Sequence, residues 1–253
     1  MTVALPARAK LNLVLEVLGR QEDGFHEVRT TLQAIDLHDL LELAPATETS
    51  LTTSGLEVST SQHNSILKAH AALQTATERD LPTRFHVHKQ IPPGAGLGGA
   101  SSDAATALRG LAAIHKLNVD LLPIARELGA DVAFFLTGGT AVAEGKGDRL
   151  TPLPTEPGWF AIAWPGIELL TADVYRAWDE VRGEPGAINQ LAGAAAHVEP
   201  RLSEFAARLG PGWQMTGSGS AFFRRCISDE EARGVTESID SWTAVTHAIG
   251  PWA

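Results

Sequence analysis

Four glycines and two serines crowd into the run Ile91-Pro92-Pro93-Gly94-Ala95-Gly96-Leu97-Gly98-Gly99-Ala100-Ser101-Ser102-Asp103, a composition suited to holding phosphate. Glycine tolerates positive φ and close backbone approach, so successive N–H groups can turn toward one anion at the free, positive end of a helix. Ser101 and Ser102 fit the helix entrance, where a hydroxyl can cap an orphan N–H and one could also reach a phosphate or a Mg²⁺ ion. A P-loop would end in Gly-Lys-Ser/Thr, and this run has no lysine. Gly94, Gly96 and Gly99 also match G-x-G-x-x-G, a dinucleotide fingerprint that requires an acidic residue ending the next strand. Asp120 stands at about that distance, yet residues 117–119 are too few for a strand and Asp120 suits the N-cap of a helix. Phosphate binding is therefore the reading the run supports best.

Two further segments carry reactive side chains. Along the opening segment the period of two puts Arg8, Lys10, Asn12 and Glu16 on one side, opposite Leu5, Ala7, Ala9, Leu11, Leu13, Leu15 and Val17. Lys10 and Asn12 thus point the same way. Asp131 follows the helix stop expected at Gly129 and precedes an apolar stretch, so its carboxylate is expected to be partly enclosed and in need of a partner.

Elements that could position these groups follow from pattern. Residues 84–91 alternate as a half-buried strand, and Ala104, Ala105, Leu108, Leu111, Ala112 and Leu117 recur at helical spacing after the glycine run. Strands are expected over 7–17, 27–36, 40–43, 51–53, 138–144 and 159–165, and helices over 64–77, 121–128, 172–181, 200–209 and 229–239. Residues 215–223 form a second glycine-serine loop. Three prolines in residues 152–157 mark the best boundary, giving an N-terminal part, 1–150, and a C-terminal part, 151–253. Many half-polar strands with interspersed helices favour α+β over a doubly wound parallel sheet.

Composition sets outer limits. A chain of 253 residues with 44% hydrophobic residues can bury a substantial core, in one large domain or two modest ones. The lone Cys226 excludes an intrachain disulfide and a multi-cysteine zinc site, and is expected to be a small core residue. No metal site is expected from His86 and His88, two apart on a strand without a third ligand. A net charge of −10 argues against a nucleic-acid or anionic-membrane partner, so a polyphosphate must be met by local donors. With no charged leader and no bilayer-spanning apolar run, a cytoplasmic protein is expected, and no obligatory protein partner is evident.

Taken together, residues 6–12, Asp23-Gly24-Phe25-His26, residues 92–102, Leu128-Gly129-Ala130-Asp131-Val132 and Thr216-Gly217-Ser218-Gly219 resemble, in this order, the motifs of the GHMP small-molecule kinases. The resemblance spans residues 4 to about 223. Its early motifs look like the branch that phosphorylates a cytidine-diphosphate-linked methylerythritol with MgATP in the non-mevalonate route to isoprenoids. It implies a two-domain α+β fold, an N-terminal half of the ribosomal protein S5 domain 2-like type and a ferredoxin-like C-terminal half, with substrates between them. By that resemblance Lys10 and Asp131 are the catalytic pair, and the ATP-phosphate loop runs over residues 92–102. Lys89, Asn64 and Ser65 fall near the adenosine, Phe25 and Tyr175 stack on cytosine, His26 reads its edge, and Asn12 and Thr171 lie close to the substrate. Tyr is more usual where Phe25 stands, and glycine is common at Ala100, whose fit depends on its φ angle. A GHMP kinase for homoserine, mevalonate or a sugar would keep the loop without needing the Phe25-His26 turn. A non-catalytic nucleotide-binding regulator would lack Lys10 or Asp131.

Overall fold

A computed structural model describes residues 2–252. Two long strands, β1 (Val3–Arg20) and β2 (His26–Pro45), pair antiparallel and anchor the N-terminal sheet. After β3 (Ser50–Gly55) come α1 (Ser65–Thr77), β4 (Thr83–Lys89), α2 (Gly99–Ile114), α3 (Leu121–Leu128), α4 (Ala130–Thr137), β5 (Thr140–Gly145) and β6 (Arg149–Leu153). The sheet order is β3-β4-β2-β5-β6, with β1 paired to β2; β3 and β4 run parallel. Residues 154–158 lead to β7 (Trp159–Trp164), α5 (Thr171–Val181), α6 (Ala192–Val198), α7 (Arg201–Leu209), β8 (Gln214–Met215), β9 (Phe222–Cys226), α8 (Asp229–Thr236) and β10 (Trp242–His247). Here the order is β10-β7-β9-β8, antiparallel throughout. The architecture is α+β, and the second sheet, β10-β7-β9-β8, has a ferredoxin-like strand order.

Apolar periodicity explains the layers. Leu41, Leu43, Phe85 and Val87 alternate onto the inner face of the first sheet and meet Leu108 and Leu111 of α2 and Phe134 and Phe135 of α4. A separate cluster, Ala9, Leu11, Ile91, Leu97, Phe160, Ile162 and Phe223, glues the opening strand and the glycine run to the second sheet. The chain then crosses back: Ala248 bridges to Ile35 and Pro251 to Gly138.

Several elements depart from the sequence expectation for local reasons. The strands expected at 27–36 and 40–43 are one strand, because the slip between Arg8 and Ala9 absorbs the polar interruption around Asp36 as a bulge. The apolar stretch after Asp131 is α4, only eight residues long and separated from α3 by Gly129 alone. Edge strand β6 tolerates Pro152 at the rim of its sheet. Short α6 and strand β10 lie where no element was expected. No helix among the described residues is long and apolar enough to cross a membrane.

Candidate active site

The glycine run closes a cavity of ≈ 770 Å³ between the two sheets. Helix α2 begins at Gly99, earlier than the apolar spacing suggests, and its N-cap is Gly98 at φ 76° with no side-chain capping bond. Ser101 and Ser102 therefore do not cap, a correction to the sequence reading. They sit within the first turn, and Ser102 donates its N–H to the Gly98 carbonyl at 2.9 Å. A left-handed cap suits glycine, and it leaves the helix's first N–H groups free toward the cavity. Ala100 is exposed, helical and free of positive φ, so alanine fits there without strain. At Gly96 a Cβ would stand 2.4 Å from the Thr216 carbonyl oxygen. Only a bare backbone lets the run lie against the second glycine-serine loop, where the Ala221 N–H donates to the Ala95 carbonyl at 3.0 Å.

Across this loop stand the two expected reactive groups. Register slips in β1 fall on either side of residues 9–12, and within that stretch Lys10 and Asn12 share one face, both buried. The Lys10 backbone N–H donates to the Leu97 carbonyl at 3.0 Å, tying the strand to the glycine run. The Lys10 ammonium donates to the Asn12 side-chain oxygen and lies 3.8 Å from Asp131 Oδ2. Asn12 in turn donates through Nδ2 to the Thr30 hydroxyl at 2.8 Å and through its backbone to Thr216 Oγ1 at 2.9 Å. Burial pulls the Lys10 pKa down, and the Asp131 charge and hydrogen bond offset only part of that fall. Asp131 lies in the first turn of α4, where the helix dipole favours an anion, and its side chain is 37% exposed. An enclosed ammonium facing an accessible carboxylate over a ring of free amides can align a phosphoryl donor with a hydroxyl acceptor.

Of the other expected residues, Asn64, Ser65, Lys89, Thr171 and Tyr175 line the cavity, and Phe25 and His26 stand outside its lining. Asn64 caps α1, accepting the Ile66 N–H at 2.9 Å, and with Ser65 lines the wall near the loop. Lys89 also belongs to that wall, but its ammonium is held by Asp39 and by Asp103 Oδ2 at 2.6 Å. At the other end Thr171 shares a hydrogen bond of 2.9 Å with Ser218, and Tyr175 is half-buried. Burial, with the Asp131 charge, pushes the Tyr175 hydroxyl up to about 12. His26 stacks on Tyr175 with ring centroids 4.9 Å apart and bonds through Nε2 to Asp179 at 2.8 Å. Phe25 is exposed and has the Lys146 ammonium 4.1 Å from its ring centre; among the described residues no Phe25–Tyr175 ring pair forms.

Three residues have supporting roles that sequence reasoning did not assign, although Thr216 stood in one of its motifs. Thr216 receives the Asn12 N–H, Thr30 braces the Asn12 amide, and Asn189 donates to the carbonyls of Met215 at 2.8 Å and Gly217 at 2.9 Å. The glycine-serine composition at 216–219 was a local signal for Thr216 alone. The described residues contain no group of three or more His, Cys, Asp or Glu side chains able to hold a metal ion.

Comparison with known proteins gives a consistent result. Residues 64–139 match the family described as GHMP kinases N terminal domain. The 4-diphosphocytidyl-2-C-methyl-D-erythritol kinase of Thermus thermophilus is 38% identical over 259 residues, covering 93% of this chain and 92% of that one. The enzyme of the same name from Aromatoleum aromaticum is 34% identical over 98% of this chain and 95% of its own. A solved structure of 4-(cytidine 5'-diphospho)-2C-methyl-D-erythritol kinase superposes with a TM-score of 0.83 at 34% identity, covering 98% of this chain and 100% of that one. The homoserine kinase of Cytophaga hutchinsonii, at 17% identity and a TM-score of 0.67, shares the fold.

Proposed function

The chain belongs to the 4-diphosphocytidyl-2-C-methyl-D-erythritol kinases of the GHMP superfamily, and from that membership we propose that it transfers the γ-phosphoryl group of ATP to the 2-hydroxyl of 4-diphosphocytidyl-2-C-methyl-D-erythritol, with Asp131 as base and Lys10 as its electrostatic partner. One observation carries the assignment of roles: the Lys10 ammonium and the Asp131 carboxylate, 3.8 Å apart, face the glycine run across one cavity.

Phosphoryl transfer asks for alignment and for stabilisation of charge on the moving group. The free amides at the start of α2 and along residues 94–98 meet the phosphates. An alcohol is a poor nucleophile with a high pKa, so the substrate hydroxyl gives its proton to Asp131 as its oxygen bonds to the γ-phosphorus and the bond to ADP breaks. The same hydroxyl, lying between Asp131 and Lys10, has its developing negative charge offset by the ammonium. Asn12 holds Lys10 in register, and Thr216 and Thr30 hold Asn12. Mg²⁺ would arrive on the ATP phosphates, where the chemistry it supplies is charge neutralisation; the described side chains offer it loop hydroxyls and no carboxylate cage.

Cytosine recognition falls to the end of the cavity that the half-buried Tyr175 lines. The base stacks on the Tyr175 face away from His26, and Phe25 supplies a second ring from the exposed turn that precedes His26. Stacking of this kind is worth about 1 to 3 kcal/mol per base. Residues 1–150 and 151–253 are read as the two domains whose junction makes the cleft. Incubation with MgATP and a panel of alcohols tests the reading by product mass. The cytidylated methylerythritol should gain one phosphate, while homoserine, mevalonate and sugars stay unchanged. A phosphate gained by one of those instead, or by none, overturns it.

A further inference from the structure

Beneath the glycine run lies a second charged assembly that the mechanism above does not use. Asp39 of β2, Lys89 at the end of β4 and Asp103 in α2 have side chains 0%, 5% and 6% exposed. Asp39 is fully employed: Oδ2 accepts from the Lys89 ammonium, and Oδ1 accepts the backbone N–H of Gln90 at 2.6 Å and of Ile91 at 2.8 Å. Lys89 passes the link on to Asp103 Oδ2 at 2.6 Å. Gln90 adds a bond from its side chain to the His38 carbonyl at 3.0 Å. Burial works against the Lys89 charge, yet the two carboxylates outweigh it and raise its pKa.

These bonds converge on both ends of one loop. Residues 89–91 enter the glycine run and Asp103 lies in the helix that leaves it, so the assembly closes the neck of a segment whose Gly94, Gly96 and Gly98 sit at positive φ. A glycine-rich backbone has the most freedom to lose on ordering. Fixing its ends in advance reduces what a ligand must still order, which is how preorganisation raises affinity. A Cβ on Gly99 would lie 3.0 Å from Ile91 Cγ2 and 3.6 Å from Asp39 Oδ2, so the first residue of α2 packs on this neck as well.

We propose that Asp39 is a positioning residue for ATP: acting through the Gln90 and Ile91 amides and, by way of Lys89, through Asp103, it holds the glycine run in its phosphate-binding shape without touching the nucleotide. The inference rests on the reading that the run binds the ATP phosphates. It also gives Lys89 a role in the loop's neck in place of a direct contact with adenosine.

Steady-state kinetics of Asp39→Asn test it, at a temperature well below melting. Asparagine can still accept the two amides, but one of its two polar atoms is then a donor facing the Lys89 ammonium. The KM for ATP should rise about tenfold, the size expected for losing one hydrogen bond to a charged group. The KM for the alcohol should stay within about twofold. A merely structural role would lower the amount of active enzyme, and so the apparent kcat, with KM for ATP unmoved; that result overturns the proposal. Should the variant fail to fold, hydrogen exchange on the wild type decides. Slow exchange at Gln90 and Ile91, before ATP is added, beside fast exchange at residues 94–98 supports the latch, and fast exchange at 90 and 91 overturns it. The same experiment with a non-hydrolysable ATP analogue keeps the two readings apart. If the analogue leaves residues 94–98 unprotected in the wild type, the phosphate-loop reading itself falls and the inference with it.

Discussion

Two lysine–carboxylate assemblies touch the same glycine run and differ in one respect: who can reach them. Asp39, Lys89 and Asp103 are buried beneath it, with four described hydrogen bonds among themselves and to neighbouring backbone. Lys10 is also enclosed, but its partner Asp131 is accessible and stands off at 3.8 Å. A buried charge without partners is costly, so a buried cluster whose ammonium is closely bonded to two carboxylates serves the fold. A long, half-open pair leaves room for a third group, and here that group is the reacting hydroxyl. The same residue types thus do architecture where they bond closely to one another and chemistry where they leave room for substrate.

Breaking the open pair should cost most. Asp131→Asn removes the base and is expected to lower kcat by about 10² to 10⁴ in a single-turnover assay. Lys10→Met should lower kcat by about 10² to 10³, the scale of losing one donor to developing charge. On the sealed side Asp39→Asn acts instead on the KM for ATP, about tenfold. Asp103 sharpens the contrast through pH. Burial pushes its carboxyl up to about 7 against the Lys89 charge, while the unfolded chain keeps the ordinary 3.8. The neutral form is favoured in the folded state, so this group's stabilisation is complete below pH 3.8 and gone once the pH has risen past about 7. Asp103→Asn cannot ionise, so its Tm relative to wild type should grow by about 2 °C or more between pH 5 and pH 8, read by thermal melts. Smallest of all, Ala100→Gly should leave KM for ATP unchanged and lower stability by no more than about 1 kcal/mol in denaturant titration, since Ala100 is helical and exposed.

Legibility in the sequence followed how local each signal was. Glycine spacing over 94–99 and the period of two at Lys10 and Asn12 lie within a few residues and marked the loop and one half of the reactive pair. Asp131 stood out by its setting after Gly129. Lys89 was legible as a neighbour of the loop, yet its partner Asp39 lies fifty residues earlier on a strand paired to β4, and no local pattern announces that. The roles of Asn189 and Thr216 were hidden for the same reason: they act by bonding backbone distant in sequence. Helix α4 went unseen because eight mostly apolar residues read equally well as strand. Ser101 and Ser102 looked like caps by residue type, but a glycine in the left-handed region took that place.

The most direct test of the division of labour is a titration of ATP affinity and turnover in Asp131→Asn and Asp39→Asn side by side. The account predicts crossed profiles: Asp131→Asn binds ATP nearly as wild type and scarcely turns over, whereas Asp39→Asn binds ATP weakly and recovers much of its turnover at saturating ATP. Matching profiles, with both variants losing the same quantity, would contradict it.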